Sequence, residues 1–442
     1  MFKRLQFFLA VYNIKEHIGM NNKLIYNMTA DEIHDKIEEY LPVRQVEKDK
    51  FGEVFTPMSL INEMLDKLPK SVWKNPVLKW LDPANGTGNF PMVAFKRLDE
   101  GLKDVEGYKD DKVRRKHIIK NMLYMVELNE KNVAISKKIF GKSSNIYCGS
   151  FLESGWYKKF GVDKFDVIMG NPPYQKKKIG FTKTEPIWDK FVDYSIIMLK
   201  KNGYLLFVHP SGWRDIKGRY RHIFNLIQER DLQHLTMRTF KDGSLTFSGA
   251  GTNFDYYCLL NNKTKSNKTK INDIDRNITI VDLNKFTFIP SGKFDIFKTI
   301  IAQDTDTVKV IYSSNNYESR PEKSKYPINK NKTDKYKYPV VYTITQKNGI
   351  KCMWTSTKNN MFVPKVIWSN GAGTYPIVDK EGNYGLTQFS YAIKDDKEKL
   401  DKIQKAMNNI KFIELMKYVA FTYNKYNYKI INTFKSDFYK YF

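Results

Sequence analysis

The sequence predicts an α/β domain with a buried parallel sheet, followed by a mixed α+β region. Short, largely apolar runs at residues 77–81, 122–126 and 167–169 are typical of strands buried on both faces. Helical patterns separate these runs, and the loops after them hold glycine, proline or acidic residues. Such alternation is the pattern of a doubly wound fold, which binds ligands at the carboxyl ends of its strands.

Length and composition set further bounds. A chain of 442 residues predicts two or three domains, and its net charge of +26 indicates a polyanionic partner. An AT-biased genome, rich in Lys, Asn, Ile and Tyr codons, would produce the same charge without such a partner. Cys148, Cys258 and Cys352 are too scattered for a disulfide framework or a zinc cluster. No run reaches the roughly 20 apolar residues of a membrane span, so we expect a cytoplasmic protein with no membrane partner.

The first residues predict a short helical segment. Residues 29–32 have capping-box spacing, and Pro42 ends the helix that follows. Met20 opens a more ordinary sequence than Met1 does, which makes it an alternative start of translation. Further on, Thr56 is expected to cap a helix whose first residue is Pro57.

A glycine-rich loop follows the first predicted strand. This glycine loop, residues 82–90, reads Asp-Pro-Ala-Asn-Gly-Thr-Gly-Asn-Phe. Gly86 and Gly88 allow a tight turn and a close approach to a ligand, while Asp82 adds a carboxylate at the strand end. The loop lacks the Lys-Ser/Thr pair of a phosphate-binding P-loop. It therefore suits a cationic amino group better than a pyrophosphate.

The fourth predicted strand runs into residues 171–174, Asn-Pro-Pro-Tyr, which we call the catalytic loop. Two prolines make this turn stiff and remove its N–H donors. The Asn171 side-chain oxygen and the Pro172 carbonyl can accept hydrogen bonds, and Tyr174 adds a flat ring. The partner that this arrangement favours is a primary amine on a planar ring. His209, after the fifth predicted strand, is not needed as a base, because an amine that attacks an electrophile loses its proton only after the attack.

Both loops resemble those of a known family. The catalytic loop resembles the Asn/Asp/Ser-Pro-Pro-aromatic signature of amino-methyltransferases in its adenine-directed form. The glycine loop resembles the S-adenosylmethionine-binding loop of DNA adenine methyltransferases. Their order resembles the gamma class of N6-adenine DNA methyltransferases, including type II restriction-modification enzymes. The resemblance implies a helical segment at 1–50, a Rossmann-like, seven-stranded S-adenosylmethionine-dependent methyltransferase domain at 51–285, and a mixed α+β target recognition domain at 286–442.

The resemblance also implies the site. The cofactor is S-adenosyl-L-methionine, and the residues expected to bind it are Phe55, Thr56, Pro57, Asp82, Ala84, Gly86, Gly88, Glu127, Ser150 and Phe151. An acid at the end of the second strand, Glu127, suits the ribose hydroxyls. The family usually has Asp where Ser150 stands, so we expect weaker donor binding.

On the target side, the resemblance implies Asn171, Pro172 and Tyr174 as catalytic residues. Tyr174 and Phe247 are expected to face a flipped adenine. The residues expected to hold the DNA backbone are Lys176, Lys177, Lys178 and Arg214. Methyl transfer of this kind requires no metal.

The C-terminal region interleaves basic and aromatic residues, as at 335–338 (Lys-Tyr-Lys-Tyr), and shows no catalytic constellation. Its position and size resemble a target recognition domain, which contacts base edges and the phosphate backbone. The expected partner is double-stranded DNA, with a separate cognate restriction endonuclease and a monomeric state as further expectations. Three alternatives remain: a methyltransferase for RNA or a protein glutamine, a cytosine-directed enzyme, and a non-catalytic DNA-binding protein with a decayed donor site.

Overall fold

The structure is a computed structural model that describes Met28, Glu32 and residues 56–177, 184–215, 218–247, 251–303, 305–314, 316–371, 374–421 and 427–442. The chain divides into two compact units. The first contains residues 1–210 and 229–266, and the second contains 211–228 and 267–442. The predicted boundaries at 50/51 and 285/286 stay predictions, and the predicted N-terminal helical segment lies outside the described residues apart from Met28 and Glu32.

Strands and helices alternate up to residue 260. The strands are β1 (Trp80–Asp82), β2 (Leu123–Glu127), β3 (Asn145–Cys148), β4 (Phe165–Gly170), β5 (Gln175–Lys177), β6 (Thr184–Pro186), β7 (Leu199–Pro210), β8 (Asp231–Arg238) and β9 (Phe254–Leu260). The helices are α1 (Met58–Leu65), α2 (Asn89–Leu102), α3 (Asp111–His117), α4 (Glu130–Phe140), α5 (Trp188–Met198), α6 (Arg221–Gln228) and α7 (Phe240–Thr246). Of these, α6 belongs to the second unit.

The main sheet is mixed. Its strands β3, β2, β1, β4 and β7 pair in parallel, and β9 lies antiparallel between β7 and β8. In the second unit, β10 (Thr269–Asn272) and β11 (Ile278–Val281) form an antiparallel hairpin. The predicted count of seven strands is not confirmed. The parallel order brings the carboxyl ends of β1, β2 and β4 to one edge.

The central strands are apolar because helices cover both faces of the sheet. Val167 and Ile168 of β4 are fully buried, and Trp80 and Leu81 of the neighbouring β1 are too. Such burial contributes about 1.5–3 kcal/mol for each large side chain. The two strands therefore form a rigid support for the loops that follow them.

The charged stretch around residues 99–116 is partly buried. Arg114 and Arg115 of α3 are 3% and 5% exposed. Both donate to Asp99 of α2, at 2.7 and 2.8 Å. The shared carboxylate explains the burial, since buried charges need partners.

The second unit contains two four-stranded sheets after β11. Its remaining strands are β12 (Val310–Tyr312), β13 (Ile328–Asn329), β14 (Tyr338–Thr345), β15 (Gly349–Thr355), β16 (Lys365–Ser369), β17 (Ile377–Asp379), β18 (Gly385–Leu386) and β19 (Ser390–Lys394). Its helices after α6 are α8 (Phe294–Ile300), α9 (Lys397–Met407), α10 (Ile410–Met416) and α11 (Tyr428–Ile431). The sheet orders are β12-β19-β16-β17 and β13-β15-β14-β18.

Across the described ranges, no helix is both long enough and apolar enough to cross a membrane.

Candidate active site

The glycine loop turns as its sequence predicts. Gly86 and Gly88 have φ of 54° and 101°, a left-handed conformation that glycine adopts without steric cost. Gly88 immediately precedes α2, and a Cβ there would lie 3.0 Å from the Phe140 ring. Among the described residues, apart from its two chain neighbours, no atom lies within 4 Å of the position a Cβ would take at Gly86. The loop is thus closely packed at Gly88 and open at Gly86.

Asp82 ends β1 and is buried. Its Oδ1 accepts a hydrogen bond from the Ala84 N–H at 3.0 Å. Burial raises the pKa of the carboxyl to about 8, the Ala84 N–H opposes this, and the Glu127 carboxylate adds to it. On the other side, a Cβ at Gly170 would lie 3.0 Å from Asp82 Oδ1. A cation beside Asp82 would favour its charged form.

Glu127, at the end of β2, fixes the shape of the glycine loop. Its Oε2 accepts from the Gly86 N–H and its Oε1 from the Asn129 N–H, both at 2.7 Å. The Asn85 N–H donates to the Val126 carbonyl at 2.9 Å. Glu127 therefore holds the backbone at two points, one of which lies in the glycine loop.

Asn171 follows β4, and only the nitrogen of its side-chain amide is hydrogen-bonded among the described residues. Its Nδ2 donates to Thr56 Oγ1 at 3.0 Å, while its Oδ1 is buried and, among the described residues, receives no hydrogen bond. A buried acceptor left in this way costs about 1–3 kcal/mol. The geometry therefore provides one oriented acceptor for the amine of a ligand.

Thr56 differs from its predicted role as a helix cap. Helix α1 begins at Met58 with Pro57 at the N-cap position and no side-chain cap. The Thr56 hydroxyl is used instead as the acceptor for Asn171, and its carbonyl accepts from Asn89 Nδ2 at 3.1 Å. Thr56 thus connects the first residue of α2 with the catalytic loop. Phe55, predicted beside it, lies outside the described residues.

The two predicted aromatic residues of the target side are in contact. The rings of Tyr174 and Phe247 are 6.4 Å apart at 82°, an edge-to-face arrangement. Phe247 is buried and also packs on Phe254. Perpendicular rings do not enclose a flat base between them. The predicted role of Phe247 as a second stacking face therefore stays a prediction. Burial, with the Asp255 carboxylate, holds the pKa of Tyr174 well above its usual value.

Ser150 and Phe151 follow β3. Ser150 Oγ accepts from the Leu152 N–H at 3.3 Å. Phe151 is buried, with its ring centroid 5.3 Å from that of Phe191 and 5.0 Å from that of Tyr194. Its ring therefore packs in the core of the first unit. The predicted contact of these two residues with the donor adenine stays a prediction.

His209 near the end of β7 is neutral over the physiological range. It is fully buried, stacks on Trp188 with centroids 4.2 Å apart, and lies 3.1 Å from the Tyr257 hydroxyl. Burial lowers its pKa to about 3, although the Pro210 carbonyl opposes the shift. This agrees with the expectation that His209 is not a general base.

Four basic residues were predicted at the DNA backbone. The backbone of Lys176 and Lys177 belongs to β5, and Lys178 lies outside the described residues. Arg214 departs from the prediction, because its side chain is 2% exposed. It donates to the Ile289 carbonyl and to Ser291 Oγ, at 3.1 and 3.0 Å. Arg214 is therefore a core residue of the second unit.

Three comparisons with known proteins bear on this site. Residues 65–242 match the family model described as Eco57I restriction-modification methylase. A curated protein of Mycoplasma pneumoniae, "Uncharacterized adenine-specific methylase", is 27% identical over 58% of this chain and 79% of its own length. The type II methyltransferase M.VspI of Vibrio sp. is 30% identical over 37% of this chain and 36% of its own length.

Among solved structures, the type IIL restriction-modification enzyme MmeI in complex with DNA is 12% identical over 82% of this chain. Its TM-score is 0.46, and this chain covers 63% of it. This chain therefore spans less than two thirds of MmeI and about a third of M.VspI. Residues 65–242, which form part of a mixed α/β fold, are therefore similar to restriction-modification methylases, in agreement with the resemblance of the two loops.

Proposed function

We propose that this protein is a site-specific DNA methyltransferase that transfers a methyl group from S-adenosylmethionine to the N6 amine of a flipped adenine. The observation that carries the proposal is the oriented, unoccupied acceptor of Asn171 Oδ1 at the end of β4. The family match over residues 65–242 and the names of both curated relatives support the same reaction.

The residues around the glycine loop suit the donor. Asp82 is a buried carboxyl that a cationic amino group would stabilise in its charged form. Glu127, an acid at the end of β2, is the proposed acceptor for the ribose hydroxyls. The open space at Gly86 allows a ligand to approach the backbone. Thr56, Pro57, Ala84, Gly88, Ser150 and Phe151 complete the proposed donor site.

When bound, S-adenosylmethionine supplies an electrophilic methyl carbon on a sulfonium sulfur. Asn171 Oδ1 and the Pro172 carbonyl accept the two hydrogens of the target amine and turn its lone pair toward that carbon. A C–N bond forms while the C–S bond breaks, and the bonding electrons leave with the sulfur. The amine then releases one proton to solvent. The contribution of the protein is positioning, which can supply several kcal/mol of the barrier.

The target adenine is out of reach inside a duplex, so it must flip. Unstacking costs about a few kcal/mol, and stacking on one aromatic side chain returns about 1–3 kcal/mol. Tyr174 is the proposed stacking residue. The proposed partner is therefore double-stranded DNA, contacted by a target recognition domain in the C-terminal region, with a monomeric enzyme and a separate endonuclease as further parts of the proposal.

The test is transfer of tritiated methyl from S-adenosylmethionine to unmethylated plasmid and phage DNA, followed by digestion to nucleosides. Wild type is compared with Asn171→Ala and with Asn121→Ala, an exposed asparagine outside both loops. Loss of a preorganised hydrogen-bonding group costs about 10²–10³-fold in kcat. We expect label in N6-methyladenosine from wild type and from Asn121→Ala. With Asn171→Ala, we expect kcat to be lower by about 10²–10³-fold.

Label in a cytosine derivative would contradict the choice of base. Donor binding without label on any DNA would contradict DNA as the substrate, and RNA and protein acceptors would then be tested in the same assay. Absence of donor binding by calorimetry would contradict the enzymatic role itself.

A further inference from the structure

One segment of the second unit carries an unusual share of the charge. Residues 323–358 hold nine lysines and one acid, Asp334, a net charge of +8, whereas the whole chain carries +26. These nine are Lys323, Lys325, Lys330, Lys332, Lys335, Lys337, Lys347, Lys351 and Lys358. A general enrichment in lysine does not explain the segment, because residues 395–442 have ten lysines and six acids.

The lysines of the two segments also differ in their partners. All nine in 323–358 are exposed, and within the described residues none of them forms an ion pair. By contrast, Lys397 pairs with Glu381 at 2.9 Å and Lys399 with Asp395 at 3.1 Å. Like charges crowded on one surface repel each other. An anion bound at this surface would lower the free energy of the repulsion.

Aromatic rings on one small sheet hold several of these lysines. Strands β13 and β14 both pair with β15, which brings Asn329 and Pro339 to either side of Trp354. Lys332 Nζ lies 5.3 Å from the Trp354 ring centroid. Lys337 and Lys358 lie 5.5 and 5.1 Å from the Tyr338 ring. Cation–π contacts of this kind orient an ammonium group while leaving its N–H donors exposed.

We propose that these lysines, on and around β13, β14 and β15, form a surface that binds the phosphate backbone of duplex DNA. The inference rests on the proposed function, and it assigns to DNA a surface in the second unit, whereas the chemistry takes place in the first. Lysine ammonium groups are point charges without the fork of arginine. Residues 323–358 contain no arginine. The surface is therefore suited to holding phosphates independently of sequence rather than to reading bases.

The test compares two triple variants that remove the same charge. Lys332→Gln, Lys337→Gln and Lys358→Gln change the proposed surface. Lys380→Gln, Lys397→Gln and Lys399→Gln change lysines that are already ion-paired, of which the first two are exposed and the third is half-buried. Binding of each full-length protein to a 30-base-pair duplex is measured by fluorescence anisotropy over a salt series, and circular dichroism and thermal unfolding verify the fold.

Each phosphate contact contributes about 0.9 to the slope of log Kobs against log salt concentration. We expect the surface triple to reduce the magnitude of that slope by about 2.7 if all three lysines contact phosphates. The control triple should keep the slope of the wild type, and all three proteins should bind the donor equally in calorimetry.

An unchanged slope in the surface triple would overturn the inference, and so would an equal reduction in both triples, since net charge alone would then explain it. A reduced slope with duplex RNA but not with DNA would also overturn it. Each of these results can occur while N6-methyladenosine still forms, so the proposed function can survive the failure of this surface.

Discussion

The glycine loop and the catalytic loop follow neighbouring parallel strands, β1 and β4, but they differ in how their polar groups are hydrogen-bonded. In the glycine loop, the Gly86 N–H is bonded to Glu127 and the Asn85 N–H to Val126. In the catalytic loop, Asn171 Oδ1 and the Tyr174 hydroxyl are buried and receive or make no hydrogen bond within the described structure. Hydrogen bonds within the protein therefore fix the glycine loop, proposed to bind the donor. The catalytic loop, proposed to bind the target, keeps an acceptor for a ligand.

Asn171→Ala is expected to have the largest effect on the rate of methyl transfer. The next largest effect is expected at Tyr174. Tyr174→Ala removes a stacking surface worth about 1–3 kcal/mol, so kcat/KM for duplex DNA should fall about 5- to 150-fold. Tyr174→Phe keeps the ring and removes a buried hydroxyl that forms no hydrogen bond with any described residue. This second variant should retain activity within about twofold and unfold at a higher temperature than wild type.

Steady-state kinetics and thermal unfolding of both Tyr174 variants provide the measurement. Equal losses in the two would show that the hydroxyl, rather than the ring, is what the target requires.

A smaller effect is expected at Thr56, which connects the two sides. Thr56→Val preserves shape but removes the acceptor of Asn171 Nδ2, leaving a donor without a partner at a cost of about 1–3 kcal/mol. We expect kcat in single-turnover transfer at saturating donor to fall roughly tenfold, because the amide no longer has one fixed orientation. Thr56→Ser retains the hydroxyl and should restore the rate. If serine fails to do so, or if only the unfolding temperature changes, Thr56 has a packing role alone.

The smallest effect concerns donor affinity and pH. Asp82, with a pKa of about 8, is mostly protonated at pH 6 and must lose its proton to pair with a cationic amino group. Donor affinity should therefore rise from pH 6 to about 7.5, by less than tenfold per unit, and decline once the amino group itself deprotonates near 7.7–8.0. Calorimetry in buffers of different ionisation enthalpy should detect the released proton, and Asp82→Asn should remove it.

The same carboxyl has a predictable effect on stability. Its pKa is raised from 3.8 to about 8 on folding, so the folded state holds the proton more tightly than the unfolded state does. The free energy of unfolding should then fall as the pH rises from about 4 to 8. Urea unfolding at pH 5 and pH 8 would measure this, and Asp82→Asn should show a smaller decrease. A wild type equally stable at both pH values would contradict the buried, protonated state.

The sequence predicts best those features whose residues are adjacent in the chain. Strand β2 lies within one residue of the predicted run at 122–126, and β4 contains the predicted core of 167–169, because continuous apolar runs need no tertiary information. Strand β8 was missed. Its register shifts between Leu232 and His234, and this irregularity disturbs the two-residue period by which a strand is recognised.

Features that depend on distant residues were not predictable in the same way. Thr56 and Asn171 are 115 positions apart, and Thr56 stands where a helix cap is expected, so no local pattern indicates their hydrogen bond. Asn89, which bonds to the Thr56 carbonyl, was passed over for the same reason. Arg214 lies in a basic run that reads as surface, and only the packing of residues 289 and 291 around it shows that it is buried.

The contact between Asp82 and Gly170 restricts how this site can change during evolution. Any side chain at position 170 would place its first carbon 3.0 Å from the Asp82 carboxylate, so a mutation there displaces the group proposed to hold the donor. Positions 82 and 170 therefore cannot vary independently, and this restriction falls directly beside position 171, which holds the residue proposed to accept the target amine.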